Sequence, residues 1–304
     1  MPADCDTVVM QEHVGTDNNQ IIVDAEHKLG QNVRQAGEDL KCGQKVLDAG
    51  RLIGPADRGV LASLGTTEVS VHRKLRVAYF STGDELRSLG ETLGPGEIYD
   101  SNRYTLYAML TEMGAEIIDM GVVRDTREDV EQALIQASSV ADVIITSGGV
   151  SVGEADYIKE VLSALGQINL WKVAMKPGRP LAFGEISGTR FFGLPGNPVS
   201  VMVTFYQFVL PALLKMAGGG ARKRWTVTAR ATKRLKKRPG RVEFQRGKLS
   251  HDDTGNLCVT ATGDQGSGIL HSMSSADCFI VLPMDCANVE AGHEVEVQPF
   301  HGLF

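Results

Sequence analysis

The sequence lacks the features that mark several common protein classes. Its five cysteines, Cys5, Cys42, Cys258, Cys278 and Cys286, are an odd number with no CxxC pair, which speaks against a disulfide framework and a structural zinc site. Seven histidines are scattered, none at the i, i+4 spacing of a helical metal pair, so a His-based transition-metal centre has no ligand pattern to rest on. No uninterrupted apolar run approaches the roughly 18 residues that span a bilayer. Met1 to Gln11, with Asp4 and Asp6, has neither the basic start nor the apolar stretch of a secretory signal. The expected location is the cytoplasm, with no membrane partner. A G-x-S-x-G elbow, a recognisable Cys–His pair, a Walker A loop and a G-x-G-x-x-G turn after a strand are absent too. These absences argue against a nucleophile-triad hydrolase, a P-loop NTPase and a dinucleotide-dependent dehydrogenase.

What is there has the balance of a globular protein. Of 304 residues, 42% are hydrophobic and 22% charged, enough chain for two or three domains with buried cores. The net charge of −6 hides an asymmetry. Between Arg222 and Lys248 lie twelve Lys/Arg and a single acid, Glu243, so that stretch carries +11 and the remainder −17. A cluster of this kind can attract a polyanion or form a solvated face of alternating strands. It includes Trp225 and Phe244 but no nucleic-acid-binding motif, and no nucleic-acid partner is expected.

Periodicity divides the chain. Thr7 to Met10 and Gln20 to Val23 read as strands of a β-rich N-terminal remnant, residues 1–38. A turn-rich connecting segment, 39–75, holds a short helix near Asp57 to Leu64. From Arg76 to 218 strands and helices alternate. Strands fall at Val77 to Phe80, Glu116 to Met120, Val143 to Thr146, Leu170 to Ala174 and Arg190 to Leu194. Helices cover Arg103 to Met113 and a stretch opened by the capping-box-like pair Thr126 and Asp129. That helix sets Val130, Ala133, Leu134 and Ala137 on one face. Ile158, Val161, Leu162 and Leu165 repeat the spacing, and a long apolar helix spans Val199 to Met216. Such alternation predicts an α/β fold with a doubly wound, mainly parallel sheet. After Gly218-Gly219-Gly220, short strands near 225–231, 242–247, 257–261, 278–282 and 294–297 predict a C-terminal all-β, barrel-like domain over 221–304.

Ligands of open parallel sheets bind at the carboxyl ends of the strands. Those ends carry Ser81 to Glu85, Arg124-Asp125-Thr126, Ser147-Gly148-Gly149 and Gly193-Leu194-Pro195-Gly196-Asn197-Pro198. Two of them have the form of anion cradles: Ser147, Gly148 and Gly149 let backbone N–H groups approach a phosphate, and Pro195, Gly196 and Pro198 lead into a helix N-terminus. Glu85, Asp125 and Asp156 are the acids at these tips. Asp125 and Asp156 could instead open helices, yet acids beside phosphate cradles would repel their ligand unless a divalent cation intervened, and Mg²⁺ favours such a donor set. Lys172 and Lys176, four apart, would face one side of an extended strand, either as solvated lysines or as cations offsetting an anionic group.

Five ordered motifs then carry a family likeness: Thr82-Gly83-Asp84-Glu85-Leu86, Ile98-Tyr99-Asp100-Ser101-Asn102, Ser147 to Gly153 with Asp156, Lys176-Pro177-Gly178-Arg179-Pro180 and Gly193 to Pro198. Together they resemble molybdopterin molybdenumtransferase, whose relatives include the C-terminal domain of gephyrin. The resemblance implies a molybdopterin-binding fold over 76–218 and Mg²⁺-dependent insertion of molybdate into adenylylated molybdopterin, with release of AMP. It implies Glu85, Asp125 and Asp156 around substrate and metal, and Lys172 and Lys176 on anionic groups. Pro195 and Pro198 would shape the pterin-side loop, and Arg246 and Ser267 would capture molybdate. Arg34 and Asp39 fall where the family has functional charges. It further implies a homodimer, with contacts to a molybdopterin adenylyltransferase and to apo-molybdoenzymes.

The sequence departs from the family at its front, where members have roughly a hundred more residues; the chain is expected to lack that N-terminal part. The competing reading is a non-catalytic molybdopterin-fold scaffold. Charged strand tips argue against it, because a scaffold has no need of them.

Overall fold

The computed structural model describes residues 1–23, 26–149, 161–162, 164–220 and 224–302. The chain divides into two compact units, Met1–Leu61 and Ala62–Phe304. In the first, strands β1 (Val14–Asp17) and β2 (Gln20–Val23) pair as an antiparallel hairpin. Asn18 and Asn19 take φ of 47° and 66° at its turn, the left-handed geometry of a tight hairpin. The expected strand at Thr7 to Met10 does not form. Val8 donates one backbone bond to the Gln31 carbonyl and accepts one from the Asn32 side chain, which ties the segment to a turn rather than to a sheet. Helix α1 (Pro55–Ser63) follows, close to its expected place.

The second unit holds a six-stranded sheet. Its strands are β3 (Arg76–Thr82), β6 (Glu116–Val123), β7 (Val143–Ser147), β8 (Gly166–Lys172), β10 (Pro180–Ile186) and β11 (Thr189–Leu194), in the order β6-β3-β7-β11-β10-β8. The β6, β3, β7 and β11 pairings are parallel, and β10 opposes both of its neighbours. Five strands therefore point one way and only β10 runs back. Between β3 and β6 come a small ribbon, β4 (Leu86–Arg87) with β5 (Ile98–Tyr99), and helix α2 (Ser101–Met113).

The sheet is covered on both faces because its strands are apolar on both. Val77 and Tyr79 of β3, Ile145 of β7 and Phe192 of β11 join a core with α2 and the long helix α4 (Pro198–Met216). Their neighbours Ala78, Phe80, Ile144 and Phe191 join a second core with helix α3 (Arg127–Val140). Each such fully buried Ile or Phe side chain contributes about 1.5–3 kcal/mol. Val161 and Leu162 are buried in the second core, as their spacing predicts; Ile158 lies outside the described residues. Helix α4 is long and apolar enough to cross a membrane by length and composition, but 61% of its apolar window is buried inside the protein.

The C-terminal part closes into a barrel. Strands β12 (Val227–Ala231), β13 (Val242–His251), β14 (Leu257–Ala261), β15 (Cys278–Leu282) and β16 (Glu294–Pro299) follow the order β14-β12-β16-β15-β13, and β13 pairs again with β14. A two-residue strand, β9 (Met175–Lys176), attaches to β13 in parallel, Met175 opposite Val242 and Lys176 opposite Glu243.

The helix start read from the sequence can be checked directly. Thr126 Oγ1 accepts the Asp129 N–H at 3.2 Å and bonds the Asp129 carboxylate at 2.9 Å. Thr126→Ala should cost about 1 kcal/mol, read as a lower denaturant midpoint with an unchanged slope.

Candidate functional site

The parallel arrangement puts the carboxyl ends of β3, β6, β7, β11 and β8 on one edge. Register makes this concrete: Ser147 pairs with Ser81 on one side and Leu194 on the other, and Thr82 pairs with Val123. Lys172, the last residue of β8, lies at the same edge.

Ser147 ends β7 fully buried. Its Oγ accepts from Asn102 Nδ2 at 2.8 Å and donates to the Pro195 carbonyl at 3.5 Å. The same Asn102 Nδ2 donates to the Gly196 carbonyl at 2.7 Å. One side-chain amide thus ties the tip of β7 to the loop entering α4. Gly148 takes φ of 92°, and a Cβ there would lie 2.4 Å from the Thr82 carbonyl oxygen, so only glycine fits. Gly149 also lies in the left-handed region, at 68°. Around this layer Ser81 Oγ, Thr82 Oγ1, Asp100 Oδ2 and Asn102 Oδ1 are buried without a hydrogen-bond partner. Buried polar atoms are rarely left so, and these four lie on β3 and at the start of α2.

Helix α4 opens with Pro195 buried, Gly196 exposed and Pro198 as its first residue. Pro198 has no N–H, and the Val199 N–H donates to the Ser267 carbonyl at 3.0 Å. The free helix N–H groups expected to face an anion are therefore fewer than the sequence implied, since a barrel loop takes one. That loop is organised by Arg246, which is 1% exposed. Its guanidinium donates to Ser272 Oγ at 2.9 Å and to the carbonyls of Asp264, Gln265 and Gly266 at 3.2, 3.2 and 2.9 Å. Burial pushes Arg246 down to about 10, still protonated at neutral pH. Arg246 thus spends its donors holding the segment that carries Ser267.

The acids sit on adjacent tips. Asp84 Oδ1 accepts the Asp125 N–H at 3.4 Å, and the ribbon of β4 and β5 holds Glu85 through its carbonyl, which accepts the Ile98 N–H at 2.8 Å. Glu85 is exposed and Asp125 half-buried. Asp156 lies outside the described residues. Among the described residues, no three His, Cys, Asp or Glu side chains gather closely enough to hold a metal ion by themselves.

The two lysines do not share a strand. The Met175 N–H closes on the Val173 carbonyl at 2.8 Å, a tight turn just past Lys172, so Lys172 ends the sheet while Lys176 belongs to β9 beside the barrel. The turn after Lys176 is pressed against α4: Gly178, φ 92°, leaves no room for a Cβ, which would lie 2.6 Å from Thr204 Oγ1. Arg34 and Asp39 belong to the first unit, both exposed, with Arg34 Nη1 3.8 Å from Glu38. Asn102, which ties the β7 tip to the loop before α4, was not singled out from the sequence although it lies in a quoted motif.

Comparison with known proteins agrees with this architecture. Residues 78–215 match the probable molybdopterin binding domain, 228–300 the MoeA C-terminal region (domain IV) and 1–65 the MoeA N-terminal region (domains I and II). A molybdopterin molybdenumtransferase of Haemophilus influenzae is 45% identical over 308 residues, covering 100% of this chain and 76% of that protein. The chain belongs to the molybdopterin molybdenumtransferase family. A member from Nostoc sp. is 37% identical over 98% of this chain and 69% of its own length. The crystal structure of a molybdopterin biosynthesis MoeA protein from Pyrococcus horikosii superposes with a TM-score of 0.79 at 33% identity, covering 99% of this chain and 73% of that one. The α/β fold with a closed five-stranded C-terminal barrel is the family's.

The tightness of the edge gives a test. Gly148→Ala forces a methyl onto the Thr82 carbonyl at a backbone angle alanine avoids. It should cost about 1–3 kcal/mol and open the β3–β7 edge, seen as a lower melting temperature and faster amide exchange at Ser147.

Proposed function

We propose that this family member inserts molybdenum into molybdopterin, taking molybdate and adenylylated molybdopterin and releasing AMP. The observation that carries the reading is the meeting of an anion cradle, cations and acids on one sheet edge, against which a barrel loop closes through Ser267 and Val199. The Ser147-Gly148-Gly149 tip binds phosphate oxygens through Gly149, since the Gly148 N–H already donates to the Leu194 carbonyl at 3.2 Å, with the remaining N–H groups at the start of α4 beside it. Lys172 and Lys176 offset charge on molybdate or the departing phosphate. Pro195, Gly196 and Pro198 shape the pterin side. Ser267 contributes to molybdate capture from a loop that Arg246 holds in place; Arg34 and Asp39 are retained in this reading as functional charges of the first unit.

Mg²⁺ commonly takes one or two protein carboxylates together with water and substrate phosphate oxygens. Glu85 and Asp125 on neighbouring tips fit that donor set, with Asp156 the third acid of the reading. Bound there, Mg²⁺ supplies positive charge to phosphate oxygens that these acids would otherwise repel. The same reading includes a homodimer in the cytoplasm, receiving its pterin from a molybdopterin adenylyltransferase and delivering to apo-molybdoenzymes.

Purified protein should release AMP from adenylylated molybdopterin only when both molybdate and Mg²⁺ are present, and chelation should stop it. Folded protein that releases none would sink the transferase reading and favour the scaffold. Asp125→Asn should lower turnover at least about tenfold with the melting temperature held, whereas an unchanged rate would remove Asp125 from the chemistry.

A further inference from the structure

Glu243 is the single acid among the twelve cations of the barrel's basic stretch, and the fold buries it. Its side chain is 5% exposed, and Oε2 lies 3.6 Å from Lys176 Nζ and accepts from Gln245 Nε2 at 3.2 Å. The Lys176 side chain is 46% exposed. The ammonium thus has a buried carboxylate on one side and solvent at the carboxyl edge on the other.

That pairing is not needed to attach the strands. The Val242 N–H already donates to the Ala174 carbonyl at 2.9 Å, and the backbone register sets Lys176 opposite Glu243. A glutamine would meet Gln245 as well as a glutamate does, without the cost of burying a charge. What the charge adds is directed at the ammonium. A lysine has a flexible four-carbon stem and three N–H donors. The ion pair with Glu243, 3.6 Å long, draws the ammonium to one side without taking up a hydrogen-bond donor, which leaves the donors for an oxyanion.

We infer that Glu243 is a positioning residue, which fixes the Lys176 ammonium at the anion edge from inside the barrel. It acts through Lys176 and contacts no substrate. The inference rests on the proposed handling of molybdate at this edge, and it makes the barrel part of the site a second time, beside the loop that Arg246 holds.

The test is a double-mutant cycle of wild type, Glu243→Gln, Lys176→Gln and the double variant, with two readouts. The first is the KM for molybdate in AMP release. Glu243→Gln should raise KM about threefold to tenfold, as expected for losing one ordered lysine, with kcat changed less than about twofold. In the Lys176→Gln background the same change should have no effect. Equal effects in both backgrounds would make Glu243 merely structural, and a fall in KM would make it a competitor for the ammonium; either overturns the inference. The second readout is independent of turnover. The ¹³C-dimethyl-lysine resonance of Lys176, assigned by its loss in Lys176→Gln, should shift in Glu243→Gln, and an unmoved resonance overturns the pairing. A wild-type protein without molybdate-dependent turnover, but with the resonance shifted, would overturn the transferase reading and leave Glu243 as the residue that positions Lys176.

Discussion

Helix α4 has to satisfy two partners at once, and much of the second unit follows from that constraint. Val199, Val201, Val203, Phe205 and Leu213 lie in one core with Val77, Tyr79 and Ile145 of the sheet. The same core takes in Phe244, Met273 and Phe279 from the barrel side. A five-residue π-helical stretch, Phe205–Val209, interrupts the helix where these demands meet. Within it Gln207 Nε2 donates to Gln298 of β16 at 3.0 Å, and Arg224 donates to the Gln207 carbonyl and side chain. Such a turn shifts the helical face. With α4 packed on both sides, Asn102 ties the loop before its first turn to the β7 tip.

This explains how a site can combine acids and anion cradles without collapsing either. Asp84, Glu85 and Asp125 extend from β3 and β6, on one side of the glycine tip of β7. Lys172 ends β8, at the opposite end of that sheet order, and Lys176 sits on β9, which pairs with β13 of the barrel. Between them lie the cradles of Ser147 to Gly149 and Pro195 to Pro198. Sheet order separates Lys172 from these acids by the width of the intervening strands. An anion bound at the centre would feel cations from one flank, while the acids on the other can be offset by a divalent ion. The geometry follows from the parallel order, since an antiparallel sheet would scatter these tips over two edges.

Much of this was legible in the sequence because parallel strands buried on both faces read as wholly apolar runs. Val143 to Thr146 is the clearest, and the capping pair Thr126 and Asp129 formed as read. Other parts were not legible, for local reasons. The Pro180–Ile186 strand begins with a proline that masks it, and its antiparallel return cannot be seen in composition. Thr7 to Met10 has β-forming residues but no neighbouring strand to complete a ladder, so propensity alone did not make it one. The lysine pair failed because spacing assumes a continuous strand, whereas a tight turn closed by Met175 on Val173 interrupts it. The four tips at the carboxyl edge were readable as a set because topology, rather than any one residue, brings them together.

The barrel changes the meaning of the basic run more than any other feature. Composition offered two accounts of it, an attractor for polyanions or a solvated face, and both treat its residues as alike. The fold separates them. Lys233, Lys236 and Arg241 are exposed, whereas Lys237 is buried with its ammonium on the carbonyls of Arg238 and Cys286 at 2.9 and 3.3 Å. Arg246 is buried deeper still, with four guanidinium N–H groups bonded. A cation sunk in the interior and bonded to three carbonyls and a hydroxyl cannot also serve as a freely swinging anion trap, because withdrawing it would strand several acceptors at about 1–3 kcal/mol each. Its effect on a bound anion must run through the loop it holds, by the position of Ser267 and the Val199 N–H. Charge counted along the sequence therefore overstates what the barrel presents to a ligand and understates how far it shapes the edge on which the ligand would sit.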